Sequence, residues 1–314
     1  MMFLDGCFVL HFIEKINEEA ETILEISNDL IPLIIRDMFL MENQIPFEVL
    51  DKLVNLRWGS SRVGKKKILD FIGQKVLIPM GFRRANYFLM LNWWCGALND
   101  REHDSLLHLL DVLRIILLDF PPSNEVRKQS NRPRNFGSVM ELKEIGIRFE
   151  KRRMESLMDI SFEEHLLFPR LLLPTMFIND TTISLLLNLT AFEAFSYSGC
   201  GVTSYIRFMD SLINHEADVE MLRSKGILDH SLGSDDEVAR LFNTWPADVM
   251  NDLELYSDIS GQILKHRDRR VNISIARWWD KYFGNPWTAI SFVAAVLLLF
   301  FTAVQTYFAA FSGR

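Results

Sequence analysis

The sequence predicts a mainly α-helical globular body with a small antiparallel β element, followed by one transmembrane helix near the C-terminus. Three observations predict it. Residues 287–311 read WTAISFVAAVLLLFFTAVQTYFAAF, without a charged residue. Roughly 20 apolar residues, at about 1.5 Å rise each, cross a bilayer core of about 30 Å. Upstream, apolar residues recur at helical spacing over most of the chain. Only residues 147–174 show the short alternating or compact apolar runs of strands. The expected division is a helical body over 1–283 and an anchor over 285–311.

Residues 3–40 read as two helices. Phe8, Phe12 and Ile16 lie on one apolar stripe; Ile23, Leu24, Leu30, Ile31, Ile34 and Ile35 lie on the next. Glu42, Asn43 and Gln44 make a polar junction suited to capping and turns. Pro46 then opens a helix that buries Phe47, Leu50, Leu53 and Val54. The run GSSRVGKK at 59–66 nearly matches the phosphate-cradling loop, but Lys66 stands where a Mg²⁺-ligating hydroxyl is required. No buried strand pattern precedes Gly59 either, so this run reads as a flexible basic loop.

Leu106–Leu118 is a strongly apolar helix, broken by Pro121 and Pro122. The polar, basic stretch 121–137 is a surface loop or linker. Ser138 and Glu141 form a capping box. Residues 147–151, 156–164 and 166–174 predict the antiparallel sheet, with Pro169 marking an edge. Helix resumes at Thr182, and Gly199 and Gly201 flank Cys200 in a turn. Tyr205, Phe208, Met209, Leu212 and Ile213 make the next buried face. Gly226 ends a helix carrying Val219 and Leu222. Ser234 and Glu237 form a second capping box, and residues 247–283 continue helical, with Trp278 and Trp279 as core or interfacial residues.

In the final span, Leu297, Leu298, Leu299, Phe300 and Phe301 sit at the centre, where each favours insertion by roughly 0.3 to 0.6 kcal/mol. Pro286 suits the helix start, and Trp287 and Tyr307 lie towards the ends, where amphipathic rings suit the headgroup level. Lys265, Arg267, Arg269, Arg270, Arg277 and Lys281 precede the span and only Arg314 follows it. That asymmetry predicts a cytosolic body. The N-terminal MMFLDGCFVLHFIEK has no basic region, and Asp5 interrupts its apolar run, so it is not a signal peptide. The chain therefore reads as tail-anchored.

The net charge of −7 argues against a nucleic-acid partner. Cys7, Cys95 and Cys200 are too few and too scattered for a disulfide framework or a zinc site.

Several blocks resemble the plant family called domain of unknown function 247. They are RDMFLMENQIPFEVL (36–50), SVMELKEIGIRFEK (138–151), NLTAFEAF (188–195), SYIRFMDSLINHEADVEMLRSKGIL (204–228), GSDDEVARLFN (233–243) and NPWTAISFVAAVLLLFFTAVQTYF (285–308). Glu42, Asn43, Gln44 and Pro46, and later Asn285, Pro286 and Trp287, carry the resemblance. It implies a land-plant membrane protein with no established enzymatic activity and no assigned catalytic residues. Grass members are implicated in self-incompatibility, a role the resemblance alone does not transfer. The family pattern also implies further helices upstream of the block Asp5–Phe8, so the chain reads as a shortened paralogue or a truncated gene product with part of its core uncovered.

No HExxH, CxxC or GxSxG run occurs. His165 beside Glu163 and Glu164 reads as a surface or satisfied structural histidine, and Asp235, Asp236 and Glu237 as first-turn carboxylates favoured by the helix dipole. The spacing of Asp210, His215 and Asp218 suits a shared face or turn, but no nucleophile accompanies them. The sequons at Asn179, Asn188 and Asn272 stay unused if the body is cytosolic. No catalytic, cofactor or metal residues are assigned. The expected function is a membrane-tethered, non-enzymatic interaction or signalling protein, partnered by the bilayer and an unknown protein. A membrane-bound enzyme with an unrecognised site and a nonfunctional truncated paralogue are the alternatives.

Overall fold

The structure, a computed structural model, describes residues 2–18, 27, 29–81, 107–118, 136–152, 156–165, 168–196, 199–245, 255–268 and 286–311. Within the last helix it describes the side chains of 290–307. The expected linker, apart from Phe136 and Gly137, lies outside the described residues, as do Trp278, Trp279, Cys95 and Asn285.

The chain opens with α1 (Met2–Asn17) and α2 (Ile31–Met38), two helices as expected there, although Ile23 and Leu24 of the expected second stripe lie outside the described residues. A single 3₁₀ turn, Met41–Asn43, leads to α3 (Phe47–Trp58), which Pro46 caps as expected. All four predicted core residues of α3 are buried. Gly59 ends the helix in the left-handed conformation at φ 68°, open to a residue without Cβ.

The expected basic loop at 59–66 is instead mostly helix: α4 runs Ser61–Ile72 and continues through a π turn, Gly73–Leu77. Its lysines are alternately paired and solvated. Lys67 Nζ lies 3.3 Å from Glu14 and Lys65 Nζ 3.8 Å from Asp51. Glu14 also accepts from Trp58 Nε1 at 2.7 Å and from the Arg57 guanidinium. Burial alone would raise the Glu14 carboxyl, but those donors outweigh it and hold it down to about 2. One carboxylate thus ties α1 to both α3 and α4.

Gly64 shows why the loop reading failed. A Cβ there would lie 2.1 Å from Val54 Cγ1 and 2.6 Å from Trp58 Cε3. The glycine is a packing notch between α3 and α4, not a turn. Two effects oppose each other in Gly64→Ala. Helix propensity favours alanine by about 1 kcal/mol, while overpacking costs about 1–3 kcal/mol. We expect a net loss of up to about 2 kcal/mol, read as a lowered Tm of the full chain in mild detergent. A stabilised alanine variant would show that the two helices are not in close contact there.

Next comes α5 (Leu109–Leu118), shorter at its start than predicted and buried on every side. A helix this apolar, interrupted only by Asp111 and Arg114, belongs in a core. Ser138 caps α6 (Val139–Glu144) in the predicted reciprocal capping box with Glu141.

The β region is mixed rather than purely antiparallel. Strands β1 (Arg148–Arg152), β2 (Ser161–Glu163) and β3 (Arg170–Pro174) form a sheet in the order β1-β3-β2. β1 runs parallel to β3, and β2 antiparallel to it. The connection through 153–160 is long enough for the chain to skip a place, which a tight hairpin would forbid. Pro169 is not at an edge. It precedes the central strand, and its carbonyl accepts from Arg148 N at 2.8 Å, which needs no proline N–H. Strands also extend beyond the predicted window. β4 (Met176–Ile178) pairs in parallel with β5 (Leu228–His230), each too short to show a period of two in sequence.

α7 (Asp180–Phe195) starts two residues before Thr182, because Asn179 Oδ1 caps it by accepting from Thr182 N at 2.8 Å. Then follow α8 (Gly201–Leu212) and α9 (Glu216–Ser224), the latter ended by Gly226 at φ 63° as predicted. In α10 (Asp235–Asn243) the second capping box is only half formed. Ser234 Oγ accepts from Glu237 N, but Glu237 Oε2 accepts from Gly233 N rather than Ser234 N. α11 (Ser257–Arg267) is the described part of the predicted 247–283 helix, and α12 (Pro286–Phe311) ends the described chain. One continuous hydrophobic core draws on residues from Val9 to Ile263.

Candidate functional site

Three places stand out, two of them built on residues singled out in the sequence. The first is the junction of α2, α3 and α5. Gln44 Nε2 donates to the carbonyls of Met38 at 3.0 Å and Leu40 at 2.6 Å, while its Oε1 accepts from Leu110 N at 3.0 Å. One amide therefore closes the end of α2 and the start of α5, satisfying both its donor and its acceptor ends. Asn43 Nδ2 donates to Asp37 O at 3.2 Å, and Phe47 N, just after Pro46, donates to Leu107 O at 2.9 Å. Glu42 is exposed. From the other side, Asn188 Oδ1 accepts from Met41 N, and its Nδ2 donates to Ser184 O, both at 2.8 Å. The Asn188 amide is thus occupied inside the body. The polar junction is a clamp, in keeping with the capping role read from its residue types.

The second place is a buried charge network that sequence reasoning passed over. Glu193 is wholly buried, and Arg114 and Asp111 nearly so. Glu193 Oε1 accepts from Val202 N at 3.0 Å, and Oε2 accepts from Thr203 N at 2.8 Å and Thr203 Oγ1 at 2.7 Å. A carboxylate of α7 thereby caps α8. Arg114 on α5 brings Nη1 within 3.8 Å of Glu193 and Nε within 3.4 Å of Asp111. Burial pushes the Glu193 carboxyl up, against the backbone donors and Arg114, which pull it down. Burial likewise pushes the Cys200 thiol up, so it is poorly suited to nucleophilic attack. His108 accepts from Asp111 N at 3.2 Å through Nδ1, its ring edge-on to Phe192 at 4.7 Å, and burial holds its pKa below the ordinary histidine value. The signal was present in the sequence. Asp111 and Arg114 interrupt an otherwise unbroken apolar run, and Glu193 interrupts another; charges there must be paired once folded.

The acidic first turn of α10 makes contacts of its own. Asp235 accepts from Arg223 Nη2 at 2.8 Å and lies 2.6 Å from His230 Nε2, while Asp236 pairs with Arg240. Exposed His165 lies 3.3 Å from Glu163. Among the described residues, no group of three or more His, Cys, Asp or Glu side chains could hold a metal ion.

The third place is α12. Its window Ile290–Tyr307 is long and apolar enough to cross a membrane, and none of it is buried against the body. Leu297, Leu298, Leu299, Phe300, Phe301 and Tyr307 are all exposed, with Leu299 at 71%. Pro286 and Trp287 are the first two residues of the helix. Thr302 and Thr306 turn their hydroxyls back to the carbonyls of Leu298 and Thr302, both at 2.7 Å.

A family model described as a plant protein of unknown function, domain of unknown function 247, matches residues 1–301. The chain belongs to this family. The matched range runs into α12. Over 98% of its length the chain is 26% identical to the UPF0481 protein At3g47200 of Arabidopsis thaliana, covering 66% of that protein. It is 29% identical to the putative UPF0481 protein At3g02645 of the same plant over 56% of this chain and 33% of that one. The chain thus spans about two thirds of the first relative's length and a third of the second's. No solved structure matches the chain. The resemblance to this family read from the sequence is therefore correct.

Proposed function

We propose that this member of the domain of unknown function 247 family is a single-pass membrane-tethered interaction protein whose helical body faces the cytosol. The observation that carries this reading is α12, a 26-residue helix with an apolar surface that no part of the described body covers. A helix of that length extends about 39 Å, more than a bilayer core of about 30 Å. The basic residues from Lys265 to Lys281 before it, against Arg314 alone after it, support the cytosolic side. Tethering raises the effective concentration of a weak binder towards partners on the same surface.

An enzymatic reading would look to the network around Glu193. There both carboxylate oxygens already accept backbone donors, and helix capping with charge pairing accounts for every contact. The body is accordingly read as a scaffold for protein contact rather than a reaction vessel.

The test is protease protection on sealed microsomes carrying the chain with an N-terminal epitope tag. The expected result is loss of the tag on adding protease without detergent. Survival of the tag until detergent is added would place the body in the lumen and make Asn179 and Asn272 candidate glycan acceptors. Release of the chain into the soluble fraction by alkaline carbonate would overturn the tether itself.

A further inference from the structure

We propose that the corner where α3 meets α4 rests against anionic lipid headgroups of the bilayer that holds α12. The inference rests on the membrane reading above. The chain is acidic overall, with a net charge of −7, yet from Lys52 to Leu69 it carries six basic residues and no acidic one. The fold uses three of the six internally: Arg57 and Lys67 pair with Glu14, and Lys65 with Asp51. Lys52, Arg62 and Lys66 are exposed and join no ion pair among the described residues. Arg62 and Lys66 stand one turn apart on α4, where two like charges repel each other. An anionic surface relieves that repulsion.

Apolar side chains are exposed among these cations. Leu56, one turn on from Lys52, is 81% exposed, the highest value for any large apolar side chain among the described residues. Val63, next to Arg62, is 46% exposed. Gly59 turns the chain between them, so Leu56 and Val63 stand on either side of one tight corner. Cations around exposed aliphatic groups suit the headgroup region, where the charges meet anionic lipid and the apolar groups enter the acyl boundary. The tether decides between an anionic bilayer and an acidic protein. It keeps the bilayer beside the body at all times, so a weak contact suffices. From Asp268 to Asn285 the chain reaches at most about 60 Å when extended, enough for the corner to turn to the bilayer.

The experiment inserts the full chain into preformed vesicles of phosphatidylcholine, with or without one third phosphatidylserine, so that the body stays outside. Flotation reports the tether. Acetylation by an impermeant amine reagent, read by mass spectrometry, reports the cover over each lysine. Lys143 and Lys225, exposed elsewhere on the body, are the internal controls. The expected result is that the chain floats with both lipids, and that phosphatidylserine slows acetylation of Lys52 and Lys66 about fivefold while the controls stay unchanged. Raising the salt to about 1 M, where screening acts beyond about 3 Å, removes the protection. Arg62→Glu and Leu56→Ser, both changes at exposed positions, weaken it while the chain still floats. Chain that floats but labels equally with and without phosphatidylserine overturns the contact and leaves the tether standing. Protection by added polyglutamate but not by phosphatidylserine makes the corner a site for an acidic protein and overturns the lipid assignment. Chain that fails to float overturns the membrane reading and this inference with it.

Discussion

Replacing Arg114 by methionine is expected to destabilise the body by about 3–5 kcal/mol, the usual cost of leaving buried charges without their partner. Methionine keeps much of the side-chain volume, so the loss reports charge rather than a cavity. Arg114 stands between Asp111 and Glu193, all three shielded from water. The effect should depend on pH. Burial already raises the Glu193 carboxyl above the ordinary value of 4.5. A raised native pKa means that the folded state holds its proton more tightly than the unfolded chain. The stability from that proton is present below the unfolded pKa and is lost as pH rises through the folded one. Without Arg114 the folded pKa should rise further, so the variant should be closest to wild type in acid and fall behind towards neutral pH.

Adding Glu193→Gln should restore a small part of the stability at neutral pH, because the amide needs no counter-charge although its NH₂ then faces a backbone donor of α8. Thermal unfolding of the full chain in mild detergent at several pH values provides the check. A loss independent of pH, with no recovery in the double variant, would show that Arg114 acts by packing against Phe192, whose ring centre is 5.9 Å away.

The second large effect is expected at Asp218. This carboxylate is 1% exposed and accepts three backbone hydrogen bonds. Oδ1 takes Met140 N at 2.8 Å; Oδ2 takes His215 N at 3.0 Å and Asn214 N at 3.1 Å. It therefore closes the start of its own helix, α9, and contributes to the start of α6. Both are helix N-termini, where the partial positive charge of the backbone favours an anion. Asp218→Ala would leave three N–H groups without an acceptor. At about 1–3 kcal/mol for each buried group left unmet, with some relaxation towards water, we expect a loss of about 4 kcal/mol. Asp218→Asn should recover only part of it, because its NH₂ would face a donor where the carboxylate presented an oxygen. Hydrogen exchange at Met140, Asn214 and His215 offers a local check. Acceleration at Asn214 and His215 with Met140 unchanged would mean that the link to α6 carries no energy.

These two sites show where reading the sequence stopped. Asp218 was visible as a residue sharing a turn with Asp210 and His215, but its third donor comes from Met140, far away in the chain. Glu193, a charge in an apolar helix, was passed over, and nothing local names Val202, Thr203 and Arg114 as its partners. The run around Gly64 was read as a flexible basic loop because glycine and lysines suit one in composition, whereas its reason for being glycine is the side chain of Val54 on the helix packed against it. Gln44 was read correctly as a capping residue, because its contacts with Met38 and Leu40 are local, but its bond to Leu110 required the fold.

By itself the sequence determined the features that depend on near neighbours: the helical periodicity of the body, the capping box at Ser138, the helix stop at Gly226, and the apolar character of α12. Each is decided by residues within a few positions along the chain, where backbone geometry holds partners at known spacing. Only the tertiary structure decided the order β1-β3-β2, the pairing of β4 with β5, and which buried charge meets which. Those contacts close long loops. Their free energy comes from burying many weakly specific apolar groups together, so no single stretch of sequence carries the information that selects them.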